Sequence, residues 1–274
     1  MRIQTNVASL EAQRNLGKNQ RNLLQSFNKL SSGYRVNSAA DDAAGLAISE
    51  SMKSQVRSYT VAERNAGDAI SMAQTAEGAL GEVHEILGRM RELGMQASNG
   101  SLTSTDRGYI NTEFGSLKSE ITRIQDSAKF NGVKLVNSTA SSITFQVGLN
   151  NTASDKITVT FGGVGFTTLL AATTVVSGSG STAALTALGR IDTAIATTSS
   201  ARSKFGAAMN RLQTASNNIG TMRLNISAAN SRIRDVDVAD ETARMSKNQV
   251  LTQAGVSVLA QANQLPQLAF GLIG

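Results

Sequence analysis

The sequence predicts a mainly α-helical protein in which long antiparallel helices, including a coiled coil formed by both chain ends, enclose a small β-hairpin element at mid-chain. Three observations lead there. Only one proline occurs in 274 residues, and proline is the residue helix interiors exclude, because it lacks the N–H and clashes with the preceding turn. Apolar residues recur at three- and four-residue steps over long stretches at both ends, the spacing that lines one side of a helix. Strict alternation of apolar and polar residues is confined to residues 143–161, where it marks two half-buried strands.

Along the chain, Ile3, Val7, Leu10, Leu16, Leu23, Phe27 and Leu30 mark one side of a first helix, about 45 Å long if some thirty residues are helical. Ser32-Gly33 supplies a stop, since glycine adopts the left-handed conformation at low cost. Ser38 to Asp41 then fits a capping box that starts the next helix. Met52, Val56, Tyr59, Ala66, Ile70, Ala73, Leu80, Val83, Leu87 and Met90 hold a near-heptad register with no turn signal before Ser98-Asn99-Gly100, which reads as one very long helix. Thr103 and Asp106 restart the chain in capping-box fashion. Tyr109 to Ile124 then form a helix that ends near Phe130-Asn131-Gly132, and the short link to it predicts an antiparallel hairpin of helices.

Ile143, Phe145 and Val147, followed by Ile157, Val159 and Phe161, supply the hairpin strands. Residues 162–182, rich in glycine, serine and threonine, read as a connector of loop with short strands, exposed and the easiest place to insert chain. Helical spacing returns at Leu185, Leu188, Ile191 and Ile195 and continues from Phe205 to Ile233. After the acidic residues Asp235, Asp237, Asp240 and Glu241, a last stripe of Val250, Ala254, Val258, Ala262, Leu265, Ala269 and Leu272 has almost no charge beside it. Such a helix is too apolar to stand alone in water. Pro266 lies inside it and predicts a kink. The two chain ends are therefore expected side by side.

Composition removes whole classes of chemistry. The absence of cysteine and the single histidine exclude thiol nucleophiles, disulfides and multi-thiolate or multi-histidine metal sites. His84, between Glu82 and Glu85, reads as a surface or interface residue. Asp41-Asp42 reads as a helix cap and the acidic cluster at 235–241 as a helix start, because carboxylates favour helix amino ends and the cluster lacks an EF-hand's glycine and spacing. No catalytic residue, metal ligand or cofactor is assigned. No apolar run reaches the ~18 residues needed to span a bilayer, and the first thirty residues lack the apolar core and cleavage site of a signal peptide. Residues 1–40 carry Arg2, Arg14, Lys18, Arg21, Lys29 and Arg35 against Glu11 alone. These cations are spread along a helix without aromatic partners and read as a solvated face, so neither nucleic-acid binding nor membrane insertion is expected.

The stretch Leu30 to Ser49, reading LSSGYRVNSAADDAAGLAIS, resembles the signature of bacterial flagellins. Asn6 to Leu16, Asp68 to Leu80, Arg89 to Gly100, Phe130 to Gly132, Ser231 to Asp240 and Ala262 to Gln264 are similar to further pieces of that family. The resemblance covers nearly everything outside 138–182, where flagellins carry variable outer domains, so the chain resembles a short flagellin without them. It implies a structural subunit polymerised into the filament used for swimming and exported unfolded by the flagellar type III system. The implied partners are further copies of the chain, the export chaperone and export gate, and the hook-associated and cap proteins. Residues 1–40 with 240–274 would form the inner coiled coil, 41–137 with 183–239 the surrounding shell, and 138–182 the hairpin and connector.

Within that resemblance the expected assembly residues are Ile3, Val7, Leu10, Leu16, Leu23, Phe27, Leu30, Val250, Ala254, Val258, Leu265 and Leu272. Leu265→Asp is expected to leave a soluble helical subunit that cannot polymerise. A lone copy cannot bury both terminal stripes well enough to offset ordering costs of ~1–2 kcal/mol per residue, so the termini are expected to order on assembly. Arg89, Leu93 and Glu113 resemble the surface recognised by flagellin-sensing Toll-like receptors, with Gly88 where a glutamine-like side chain stands. The alternative is a hook-filament junction protein, which shares the two terminal stripes.

Overall fold

The computed structural model describes residues 5–177 and 181–270, the side chains of 265–270 excepted. The expected positions Ile3 and Leu272 lie outside the described residues, as does the side chain of Leu265. Among the described residues six α-helices and four strands follow one another, with a 3-10 turn (Ala153–Asp155) before the last strand: α1 (Val7–Ser32), α2 (Ala43–Ala97), α3 (Ser104–Ser127), β1 (Lys129–Phe130), β2 (Val133–Lys134), β3 (Ser141–Gln146), β4 (Lys156–Phe161), the one-turn α4 (Thr167–Leu170), α5 (Thr182–Arg234) and α6 (Val238–Phe270). Long helices dominate, as the scarcity of proline requires. The chain divides into two compact units, Met1–Val56 with Leu224–Gly274, and Arg57–Arg223.

In the second unit, the buried side of α2 runs Ala62, Ala66, Ala69, Ala73, Ala76, Leu80, Val83, Leu87, Met90, Gly94 and Ala97, an unbroken alternation of four- and three-residue steps. This is a heptad seam. Alanines fill it from Ala62 to Ala76 and larger residues from Leu80 to Met90, and Phe114, Ile121 and Ile124 of α3 join the same core. On α5 the buried positions include Ala184, Ala187, Ile191, Ala194, Phe205, Leu212 and Ile219, whereas the expected core residue Leu185 is exposed. Gly94 is needed for close approach: a Cβ there would lie 2.9 Å from Cδ2 of Leu188. Arg223 with Glu63, Arg202 with Glu77 and Arg91 with Asp192 pair α5 with α2. The α2 members fall two heptads apart, so the ion pairs and the apolar seam keep one register.

Thr103 and Asp106 form the expected capping box at the start of α3. The Thr103 hydroxyl accepts from the Asp106 N–H, and the Asp106 carboxylate accepts from the Thr103 N–H and hydroxyl. These Thr103 hydrogen bonds hold the Asp106 carboxyl below its ordinary pKa. Beyond α3, Asn131 (φ 46°) and Gly132 (φ 80°) form the turn of a small β1–β2 hairpin, where the sequence reading placed only a helix end. The β3–β4 hairpin is antiparallel as expected, with Ile143 opposite Val159 and Phe145 opposite Ile157.

The connector departs from expectation. It contains no strand among its described residues, and Val164, Phe166, Leu169 and Val176 are buried in the core. Side chains of the long helices hold its backbone: Lys118 Nζ donates to the carbonyls of Ala171 (2.7 Å) and Thr174 (3.2 Å), and Asn111 Oδ1 accepts from the Val176 N–H. Burial, with Arg190 nearby, lowers the Lys118 pKa. Gly162 takes φ 71°, and a side chain there would overlap Asn137. Gly163 takes φ 70°, and a Cβ there would lie 3.2 Å from the Cβ of Ala140.

In the first unit, α1 stops at Gly33, which is left-handed (φ 73°) and donates to the Lys29 carbonyl. The cap of α2 falls at Asp42, four residues beyond Ser38, where the expected capping box begins. Asp41 Oδ2 accepts from Asn37, from the Ser38 N–H and from the Ser38 hydroxyl, closing a separate turn. Asp42 caps α2, accepting from the Gly45 N–H at 2.8 Å. The chain breaks at 33–36 and 234–236 lie together: Arg35 N–H donates to the Arg234 carbonyl, Val236 N–H donates to the Gly33 carbonyl, and the Arg234 guanidinium stacks 4.5 Å above the Tyr34 ring. Arg234 also pairs with Glu50. Asp237 caps α6 by accepting from Ala239 and Asp240, as the acidic cluster predicted. Helix α6 continues through Pro266 without a restart.

Candidate assembly surface

Helices α1 and α6 pack antiparallel. Asn6 fixes one end: its Oδ1 accepts from the Ser9 N–H to cap α1, and its Nδ2 donates to the Ala262 carbonyl at 2.8 Å. Ser9 Oγ donates to Asn263 Oδ1 at 2.8 Å. Further along, a Cβ on Gly255 would meet Leu16 Cδ1 at 3.3 Å. Ser9 with Ala262 and Leu16 with Gly255 define one register.

Continuing that register along the less exposed residues of each helix gives seven layers. Ser9, Ala12, Leu16, Asn19, Leu23, Ser26 and Leu30 of α1 stand opposite Ala262, Leu259, Gly255, Thr252, Asn248, Met245 and Glu241 of α6. Both lists advance by alternating three- and four-residue steps, the heptad pattern of a coiled coil. In five of the seven layers a large side chain faces a small or polar one, and the other two, Ser9 with Ala262 and Asn19 with Thr252, hold only small or polar residues; this lets the helices approach and selects the register. Much of the seam is polar or small. Ser9, Ser26 and Glu241 are among its buried residues.

The large apolar residues are elsewhere. Val7, Leu10, Leu24 and Phe27 on α1 and Val250, Val256 and Val258 on α6 are between 54% and 63% exposed. In the heptad frame, Val7 and Val250 lie directly opposite their seams. Ordinarily, burying one such side chain contributes about 1.5–3 kcal/mol, so this pair leaves its main source of stabilisation in water. So many large apolar side chains left in water on one helix pair point to an interaction site.

The expected assembly residues therefore divide. Leu16, Leu23 and Leu30 are half-buried within the α1–α6 seam, whereas Val7, Leu10, Phe27, Val250, Ala254 and Val258 are exposed outside it. Sequence reasoning missed Leu24, Val238, Leu251 and Val256, which are exposed too. It also missed the seam residues Met245, Gly255 and Leu259. A stepwise search for large apolar residues follows the outward face of α6; a search that admits Ser, Gly, Thr and Ala at heptad positions finds the seam.

On the second unit, Arg89 donates to Glu113 at 3.0 Å and to Glu92 at 2.9 Å. The hydrogen bonds to Glu92 and then Glu113 raise its pKa. Leu93 is 2% exposed and faces the core. Arg89 and Glu113 thus share a surface that Leu93 does not join.

This arrangement of paired terminal helices, long inner helices and mid-chain hairpins can be set beside known proteins. The family model described as bacterial flagellin N-terminal helical region matches residues 3–141, and that described as bacterial flagellin C-terminal helical region matches residues 188–273. The chain belongs to the bacterial flagellin family. Flagellin of Halalkalibacterium halodurans is 42% identical over 273 residues, covering 100% of both chains. The flagellar filament 33 kDa core protein of Treponema phagedenis is 38% identical over 292 residues, again covering 100% of both. A solved putative flagellar hook-associated protein from Vibrio parahaemolyticus shares the fold, with a TM-score of 0.60 and 16% identity over 71% of this chain and 100% of that one. Only residues 142–187 lie between the two flagellin matches, so the chain is a short member of the family.

Proposed function

We propose that this chain is the repeating structural subunit of a flagellar filament, exported through the flagellar type III system and assembled outside the cell for swimming. The observation that carries the reading is the α1–α6 pair, which spends its seam on small and polar residues and turns Val7, Leu10, Phe27, Val250 and Val258 outward. Neighbouring copies supply what those residues lack. Because the exposed apolar surfaces of α1 and α6 differ, copies add head to tail rather than as closed pairs, and a repeated contact that does not close gives an open helix.

On this reading residues 1–40 with 240–274 form the filament's inner coiled coil and 41–137 with 183–239 its surrounding shell, with 138–182 on the shell. Before assembly the terminal helices gain too little from one another to offset their ordering cost, so they order as the subunit joins the filament. An export chaperone protects them until then, and hook-associated and cap proteins meet the filament ends. The paired side chains of Arg89 and Glu113 support recognition by a vertebrate Toll-like receptor. Electron microscopy of the purified subunit after salting out tests the assembly reading. Long tubes are expected; a capped ring or a stable dimer would instead favour a hook-junction protein.

A further inference from the structure

The spread cations of the first helix acquire a different meaning from their placement in the fold. Val7, Arg14 and Arg21 share one heptad position of α1, directly away from the seam; Leu10 and Leu24 occupy the adjacent position, and Lys18 flanks it on the other side. All six are exposed. Leu24 is 63% and Phe27 61% exposed, at the far end of the same helix. Glu11 is the only acidic residue of α1, and it sits 3.9 Å from Arg14. On α6, Arg244 and Lys247 are the only charged residues after Glu241. The outward side of the pair therefore combines exposed apolar side chains with a net positive charge.

We infer that, in the unassembled subunit, α1 orders as a helix on anionic phospholipid bilayers with this side against the lipid. The chemistry is that of a helix lying in the membrane interface: apolar residues enter the boundary of the acyl chains, and Arg14, Lys18 and Arg21 reach the headgroup phosphates. A zwitterionic surface offers the apolar term without the charge, and a second copy of the same basic helix face offers repulsion. The phospholipid surface is the partner that satisfies both features. This is adsorption, for which a helix need not be long enough to span. The inference rests on the assembly reading only in that filament contacts would cover the same side chains and exclude the bilayer.

Flotation of the full-length, freshly depolymerised subunit with phosphatidylglycerol vesicles or phosphatidylcholine vesicles tests it, since dense filaments do not float. Flotation with phosphatidylglycerol, weakened by salt, and none with phosphatidylcholine are expected. Each cation near an anionic surface contributes about a fivefold gain in partitioning, so Arg14→Gln/Lys18→Gln/Arg21→Gln should lose about a hundredfold. Leu24→Ser/Phe27→Ser, which changes no seam residue, should lose binding. Equal flotation with both lipids, no flotation with phosphatidylglycerol, or undiminished flotation of the triple variant would overturn the inference. A subunit that fails to float yet forms tubes defeats only the lipid inference; one that floats but never forms tubes defeats only the assembly reading.

Discussion

Leu16 of α1 packs over the bare Cα of Gly255 in α6, so closely that a methyl group on that carbon would lie 3.3 Å from Leu16 Cδ1. Gly255 costs its helix about 0.5–1 kcal/mol relative to alanine, and the close approach of α1 is what that cost secures. Gly255→Ala should be nearly neutral, because the helical gain offsets a tight contact. Gly255→Leu should force the helices apart at a cost of about 1–3 kcal/mol. The temperature at which filaments dissociate, followed by light scattering, checks the pair; equal dissociation temperatures for the two variants would disprove the seam.

Phe27 and Val258 are both exposed and lie outside that seam. Phe27→Asp and Val258→Asp should each leave a soluble subunit with unchanged circular dichroism in the second unit's helices, and each should abolish filament formation. Filaments of normal length from either variant would remove that residue from the assembly surface.

Gly94 of α2 admits Leu188 of α5, whose Cδ2 would stand 2.9 Å from an added Cβ. Both residues belong to the second unit, and neither is a proposed assembly residue. Gly94→Val should therefore lower the thermal stability of the subunit by about 1–3 kcal/mol. Calorimetry of the unassembled protein reads this, and an unchanged melting temperature would mean that α2 and α5 do not approach as described.

Acidification should loosen the turns. Asp41 is held below its ordinary pKa first by the Ser38 backbone hydrogen bond, and Asp106 by Thr103. The unfolded chain binds protons at these groups more readily than the folded one. Their stabilisation is therefore complete above the ordinary aspartate pKa and is lost as pH falls through the lower folded values. Thermal unfolding across acidic pH should show a decline that is shallower in Asp41→Asn/Asp106→Asn. An identical slope in parent and variant would contradict the roles of Asp41 in its turn and Asp106 in its cap.

Arg89 and Glu113 join across α2 and α3 at 3.0 Å, whereas Leu93 is buried. In a reporter-cell assay of the flagellin-sensing receptor, Arg89→Ala should respond less than the parent. No response from either protein would dispose of receptor recognition.

Much of the fold was legible because helices of this length need continuous periodicity and few breakers: Gly33, the Thr103–Asp106 box and the Asp237 cap all stand where the residue types placed them. The α2 cap was misplaced by four residues because Ser38 and Asp41 have capping-box spacing, whereas they close a separate turn and the Asp42–Gly45 hydrogen bond starts the helix. The connector's loop character was legible but the burial of Val164, Phe166, Leu169 and Val176 was not, since serine, threonine and glycine suggest solvent and the Lys118 and Asn111 side chains that hold its backbone are distant in sequence. At the assembly surface, hydrophobicity identified Val250 and Val258 but not their orientation. Direction followed from Ser9, Gly255 and Ala262, whose small size is informative only once two helices are paired.

Hydrogen exchange along α1 and α6, measured in the dilute subunit and again in the assembled polymer, tests the central claim most directly. Rapid exchange in the free subunit and strong protection after assembly are predicted. Full protection of both helices in the free subunit would show that they are complete without neighbours and would contradict the account.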